Sequence, residues 1–373
     1  MSQLQFRSDD SPSKWKYGFG NGSTGSTYAV PSNEGCSSTL ASKTLTLASA
    51  GSFSDGDLIL IHQTRGTNAG HWQLNKILSG AGTTTLTLES DTTLAYADSG
   101  ANQAQVIEIN QYEDLTVGAL TVPDWDGSKG GIVAILDKGT CTVDSTINGT
   151  GKGHLLGVQD GSSAPGQQGE GTGGAGANLN AANGNGGGGG NYSSGTWGGG
   201  GGGGNGAAGT TGQTNTHIGS AAGGVGGSAV GSASLVTMNL GGGGGASKDR
   251  SGGDGGGMAF IFANNIVITG AITMGAVVGA TRASGDLEGA GGGGAGGSVL
   301  LKAVTATLGS GLITCPGAAG GTAPKANGGA GAVGRIHLDY SDSFTGTTSP
   351  SIDATEDTTI VATSNTGNMF MLF

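Results

Sequence analysis

Asp124 and Asp126 flank Trp125 in the segment VPDWDG at 122–127. An indole can stack on a sugar ring, and two carboxylates beside it could divide the acid and the nucleophile or base roles of glycoside cleavage. The same string also reads as turn punctuation, in which aspartate side chains bond neighbouring backbone N–H groups. A polysaccharide-degrading β-helix is thus the enzymatic reading of the chain, and the turn is the reading its residues favour. The five histidines, His62, His71, His154, His217 and His337, have no metal-ligand spacing from one another or from Cys36, Cys141 and Cys315. Three cysteines so far apart are expected to be buried thiols. GxGxxG strings recur, but a glycine-rich stretch generates them by composition, and none opens an amphipathic helix as a phosphate loop requires. The aspartate of GGDGGG at 252–257 does not return at the nonapeptide interval of calcium-binding β-rolls. These residues point to no enzyme, no cofactor and no metal.

Recognition is better supplied. The segments NYSSGTW at 191–197, TNTHI at 214–218, SKDR at 247–250, TRASGDLE at 281–288 and TAPKA at 322–326 hold nearly all the large or charged side chains of a region otherwise built from glycine. Loops on a rigid scaffold carry binding disproportionately, and Tyr, Trp and Arg dominate binding hot spots. Tyr192, Trp197, His217, Lys248 and Arg250 are therefore the candidate receptor-binding residues. For Tyr192 and Trp197 the alternative is that they cover the ends of a glycine scaffold.

The elements that must position these loops follow from composition. Of 373 residues 83 are glycine, and 63 of those lie between 151 and 340. Only 11% of residues are charged while 35% are hydrophobic, which is not the signature of a solvated disordered chain. Between 38 and 122, apolar residues alternate with threonine and polar residues over TLTLAS (44–49), DLILIHQ (57–63), HWQLNKIL (71–78), TTTLTLES (83–90) and AQVIEINQY (104–112). Turn residues interrupt them every 10 to 15 positions. That is an all-β pattern, predicting a small β-sandwich or the first coils of a β-helix.

A repeat follows. GGIVAILDKGTCTVDSTINGTGKG (130–153), GGMAFIFANNIVITGAITMGAVVG (256–279) and GGSVLLKAVTATLGSGLITCPGAAG (296–320) share a Gly-Gly entry, an apolar strand, a Val/Thr strand and a glycine exit. GGAGAVGRIHLDY at 328–340 begins the same way. Repeats of this length predict a β-solenoid in which each unit stacks on the last. Between them run the tracts GNGGGGGN (184–191), WGGGGGGGNGAAG (197–209), NLGGGGGAS (239–247), SGGDGGG (251–257) and GAGGGGAGG (289–297). Ordering glycine costs about 0.5 to 1 kcal/mol per residue more than ordering alanine, so a cooperative partner is needed. Packed polyglycine II helices, with three residues per turn and no internal hydrogen bonds, would provide one.

The pattern in Gly296–Gly320 and Gly328–Leu338, with the segments 55–77 and 122–132, resembles glycine-rich β-repeat surface proteins of environmental bacteria and phages. The tracts resemble the polyglycine II tail-fibre tip adhesins of T-even-like phages, in which loops between glycine helices touch the host receptor. These resemblances imply a structural or adhesive role on a cell or virion surface.

The net charge of −11 and pI near 4.7 disfavour nucleic acid and anionic membranes as partners. No apolar stretch reaches a membrane span, and the N-terminus shows no Sec signal. The expected organisation is an arm (1–37), a β domain (38–128), a glycine-rich β/polyglycine II solenoid (129–340) and a C-terminal strand segment (341–373). Trp15, Tyr17 and Phe19 in the arm, with Met369, Phe370, Met371, Leu372 and Phe373 at the end, are candidate assembly contacts, because a bare apolar terminus invites pairing. Two functions are open: a subunit of a self-assembling extracellular filament or fibre, and a tail-fibre tip or cell-surface adhesin for a glycan or protein receptor. The filament predicts polymers and the adhesin a discrete monomer or trimer, so the expected partners are further copies in a homo-oligomer or polymer and a cell-surface glycan or receptor.

Overall fold

The computed structural model describes residues 17–159 and 164–361, and Trp15 and Met369–Phe373 lie outside them. Among the described residues the chain is all-β and forms no helix, so none is long and apolar enough to cross a membrane.

The alternating segments near the N-terminus become six antiparallel strands: β1 (Asn33–Ser37), β2 (Thr44–Leu47), β3 (Leu58–Arg65), β4 (Trp72–Ser79), β5 (Thr85–Leu88) and β6 (Gln103–Glu108). They close into a barrel in the order β1-β2-β5-β4-β3-β6. The sequence offered a sandwich or solenoid coils. Closure is the alternative that leaves no free edge on strands this short. Leu45, Leu47, Leu86 and Leu88, alternating with exposed threonines, fill its interior with Ile59, Ile61, Ile77 and Val106. β3 is buried on both faces because Leu58 and Leu60 point the other way, into a second core with Trp72, Leu74 and Ile107.

That second core joins the barrel to a curled parallel sheet. Short strands β7 (Gln111–Tyr112), β8 (Thr116–Val117) and β9 (Leu120–Thr121) lead into β10 (Ile132–Val143) and β11 (Thr146–Asn148). Beyond the two-strand hairpin β12 (Tyr192–Ser193) and β13 (Thr196–Trp197) come β14 (Met258–Ile268), β15 (Ala271–Thr273), β16 (Ser298–Thr314), β17 (Arg335–Ser349) and β18 (Asp353–Glu356). The Gly-Gly repeats are in register: Ile132 pairs Met258, Met258 pairs Ser298, and Ser298 pairs Arg335. Val133, Ala259, Val299 and Ile336 therefore stack into one row of an inner core, closed by Ile147, Ile272 and Ile313. The neighbouring positions turn outward, where Phe260 and Phe262 meet Trp72 of the barrel. Cys36, Cys141 and Cys315 are buried and free.

The glycine tracts run between these strands and the far end of the molecule, and their order lies in their backbone hydrogen bonds. Successive N–H groups of Gly198–Asn205 address three neighbours in rotation. Gly198, Gly201 and Gly204 donate to Asn191, Gly188 and Asn185; Gly199 and Gly202 donate to Gln213 and Thr210; Gly200 and Gly203 donate to Ala290 and Gly293. Its carbonyls are taken by three further segments, through Gly224 and Gly227, through Gly329 and Ala332, and through Gly245 and Gly242. This tract is thus ringed by six others, and a Cβ on any of Gly198–Gly204 would overlap a neighbour's carbonyl oxygen. Tracts at the rim admit side chains on the outward third of their residues: Ala222, Val225 and Ser228 are exposed, while Gly223, Gly224 and Gly227 between them are buried.

Candidate recognition surface

At the end of the bundle away from the strands, the five loops singled out above come together. Trp197 N–H donates to Leu287 O (2.7 Å), Arg282 N–H to Thr322 O (2.8 Å), and Ser247 N–H to Arg250 O (2.9 Å). Asn215 Nδ2 donates to Trp197 O (3.2 Å) and Asp286 O (3.0 Å), pinning three loops with one amide. Their convergence follows from the scaffold, since each tract enters or leaves the bundle at this face.

Trp197 is only 4% exposed. Its Nε1 donates to Ala164 O (3.0 Å), Tyr192 packs on it with ring centroids 4.7 Å apart, and Lys248 Nζ lies 4.3 Å from its ring centroid. Trp197 therefore caps the bundle and supports the surface rather than forming it. Lys248 pairs with Glu288 (3.3 Å), Arg250 with Asp249 (3.3 Å), Arg282 with Asp249 (2.8 Å) and with Glu288, and His217 with Asp286 (3.6 Å). Asp249 Oδ1 is buried without a hydrogen-bond donor. Between these pairs His217, Ile218, Leu287 and Lys325 are exposed and Tyr192 is half-buried. The face is thus a mixed-charge surface with apolar points.

Tyr17 and Phe19, the arm's candidate aromatics among the described residues, have partners within the chain. Phe19 is buried in the core between barrel and sheet, and the Tyr17 hydroxyl donates to Glu89 (2.6 Å).

The Asp-Trp-Asp motif resolves as a turn. Asp126 Oδ1 accepts the N–H groups of Ser128 and Lys129 (2.8 and 2.9 Å), Asp124 pairs with Lys152, and Trp125 is 2% exposed. No sugar can stack on a ring so covered. Trp125 instead belongs to a buried junction that sequence reading missed, centred on Glu170. Its carboxylate takes the Arg65 guanidinium from the barrel, Trp125 Nε1 (2.7 Å) and Leu155 N–H (3.0 Å), with His154 Nδ1 3.9 Å away. Burial opposes ionisation of Glu170, but His154, the Leu155 N–H and Arg65 together outweigh it and hold the carboxyl at about 2. A cavity of about 520 Å³ opens beside it, lined by Arg65, Leu155, Leu156, Val158, Glu170 and Asp254. Asp254, the aspartate of GGDGGG, accepts Leu156 N–H (2.8 Å) there. Among the described residues no group of three His, Cys, Asp or Glu side chains is placed to hold a metal.

No protein-family description matches the chain, and no curated protein does. Among solved structures it is similar to the tailspike protein gp49 from Pseudomonas phage LKA1, at 12% identity and a TM-score of 0.19. The match covers 88% of this chain and 65% of the tailspike, and a likeness this slight carries no weight for fold or function.

Proposed function

We propose that this chain is a surface-exposed, non-enzymatic recognition module, placed on a virion fibre or cell surface, that binds a glycan or protein receptor through the loops at the free end of its glycine bundle. The observation that carries this reading is the convergence of five sequence-distant loops on one face. Loops that served only as connections would have no need of the ion pairs among Lys248, Asp249, Arg250, Arg282 and Glu288. We read the tracts as polyglycine II helices packed around Gly198–Gly204, supported by the three-residue rotation of their hydrogen bonds, and the stacked Gly-Gly repeats as a short β-solenoid, supported by their in-register ladder. Such a scaffold loses little entropy on binding, because it is ordered before the receptor arrives.

The filament reading rested on apolar joints at both ends. Two of its aromatics, Tyr17 and Phe19, are engaged inside the chain, and the others lie outside the described residues, so the loop face carries more of the account.

The test is binding of labelled full-length protein to whole bacterial cells and arrayed surface polysaccharides. Tyr192→Ala and His217→Ala are expected to lower binding at least tenfold, while Val225→Thr on the rim leaves it unchanged. Equal binding by all variants, or polymers in negative-stain micrographs of the wild type, would overturn the proposal.

A further inference from the structure

One buried charge cluster lies outside the recognition surface and outside the Glu170 junction. Lys302 on β16 and Asp339 on β17 are directly paired in the parallel ladder, with Nζ 2.7 Å from Oδ2 and side chains 3% and 5% exposed. On its other flank Lys302 is in register with Phe262 of β14, and Leu300 precedes it on the same face. Apolar side chains thus flank Lys302 along its own strand and across the ladder. Asp339 Oδ1 is 3.1 Å from His337 Nε2, and His337 Nδ1 is 2.8 Å from Asp353 Oδ2 on β18. His337 is 1% exposed, whereas the Asp353 side chain is 49% exposed and reaches solvent.

We propose that Lys302 and Asp339 form an intramolecular isopeptide bond, an amide between Nζ and Cγ that staples β16 to β17, with His337 as the proton-transfer residue and Asp353 holding its ring. The geometry provides an amine held against a carboxyl on a neighbouring strand, which removes the entropy of bringing them together. A general acid–base lies within reach of the oxygen that must leave. In the minor form in which Asp339 is protonated, Nδ1–H donates to Asp353 and Nε2 is the basic nitrogen facing Asp339, the division of roles seen wherever a carboxylate orients a catalytic imidazole.

The step balances without any co-reactant. One proton passes from the Lys302 ammonium to Asp339, giving amine and carboxylic acid. The Nζ lone pair attacks Cγ, and the new C–N bond forms as the carbonyl π-bond opens. His337 Nε2 takes a proton from the nitrogen and returns it to the Oδ1 hydroxyl. The C–O bond breaks, water leaves, and the carbonyl re-forms. Amine plus acid give amide plus water, and nothing is oxidised or reduced. The ground state is the charged pair: burial opposes ionisation of Asp339, but His337 and Lys302 hold it at about 2. Bond formation therefore proceeds slowly, from the minor neutral form. It replaces two desolvated charges by one neutral amide, which relieves the burial penalty of the pair.

Mass spectrometry of the purified full-length protein, aged for days at neutral pH, decides the matter. The wild type is expected about 18 Da, one water, below the mass of its sequence, with a branched peptide joining the Lys302 and Asp339 fragments. Lys302→Arg and Asp339→Ala are expected to restore the full mass. His337→Ala is expected to slow the loss at least tenfold while leaving the same branched product. A wild type at full sequence mass with no branched peptide would overturn the proposal. So would a water loss mapped elsewhere, as to the Asp-Gly pairs at 126–127 or 254–255, and the wild-type result stands whether or not a variant folds.

Discussion

Trp197 and Glu170 do comparable work at opposite ends of the glycine bundle: each is a large side chain tied to several segments that have almost no side chains of their own. Removing the indole by Trp197→Ala would leave a void against Tyr192, Lys248 and the Ala164 carbonyl. A cost of about 3–5 kcal/mol is expected, read as a lower denaturant midpoint, with receptor binding by all five loops weakened at once. Glu170 ties bundle to barrel through Arg65 and Trp125. Its folded carboxyl titrates at about 2 against an ordinary 4.5. Its contribution to stability is therefore full above about pH 4.5 and is lost as pH falls toward 2. Glu170→Gln is expected to abolish that dependence and, by leaving Arg65 buried without its counter-charge, to cost about 3–5 kcal/mol at neutral pH. A pH series of denaturant unfolding curves for wild type and variant checks both statements. No local pattern announced Glu170, because its partners lie 15 to 105 positions away.

Among elements, the glycine tract departs furthest from ordinary rules. Elsewhere a Gly→Ala exchange at a compatible backbone position stabilises by about 0.4–1 kcal/mol through the unfolded chain. Gly118 has nothing within contact of an added Cβ, and Gly118→Ala is expected to be neutral or mildly stabilising. Gly201→Ala and Gly203→Ala would drive a Cβ into the carbonyls of Val225 and Gly242, and each is expected to cost at least about 2 kcal/mol, in the range of overpacked cores. Equal effects at all three sites, measured by chemical denaturation, would contradict a close-packed bundle. The strands of the repeats and the loops between tracts were legible in the sequence because periodicity and composition are local properties. So in principle was the bundle's centre: Gly198–Gly204 has glycine at every position, while Ala222, Val225 and Ser228 mark a rim tract by a side chain at every third. The barrel was not legible as a barrel. Alternation assigns each residue of β2 and β5 to a face, but strand order and closure depend on pairing across some 40 residues, such as Thr44 with Thr87.

At the scale of the whole molecule, a barrel and a curled parallel sheet share one core, and from the sheet a bundle of nearly bare backbone extends to a face that holds side chains again. Its stability comes from cooperation: every inner tract satisfies its neighbours' N–H and C=O groups, so no tract can order alone. The bundle is thus expected to unfold as a unit, and amide exchange across it should be uniform. Exchange at the Gly198–Gly204 amides tests this most directly, by NMR or by peptide-resolved mass spectrometry of the native protein. The account predicts protection there equal to that of β14 and β16, beside fast exchange at the loop amides of 283–286. Exchange of the tract at the rate of an unstructured chain would mean that the glycines are linkers, and would contradict the scaffold on which the recognition face is built.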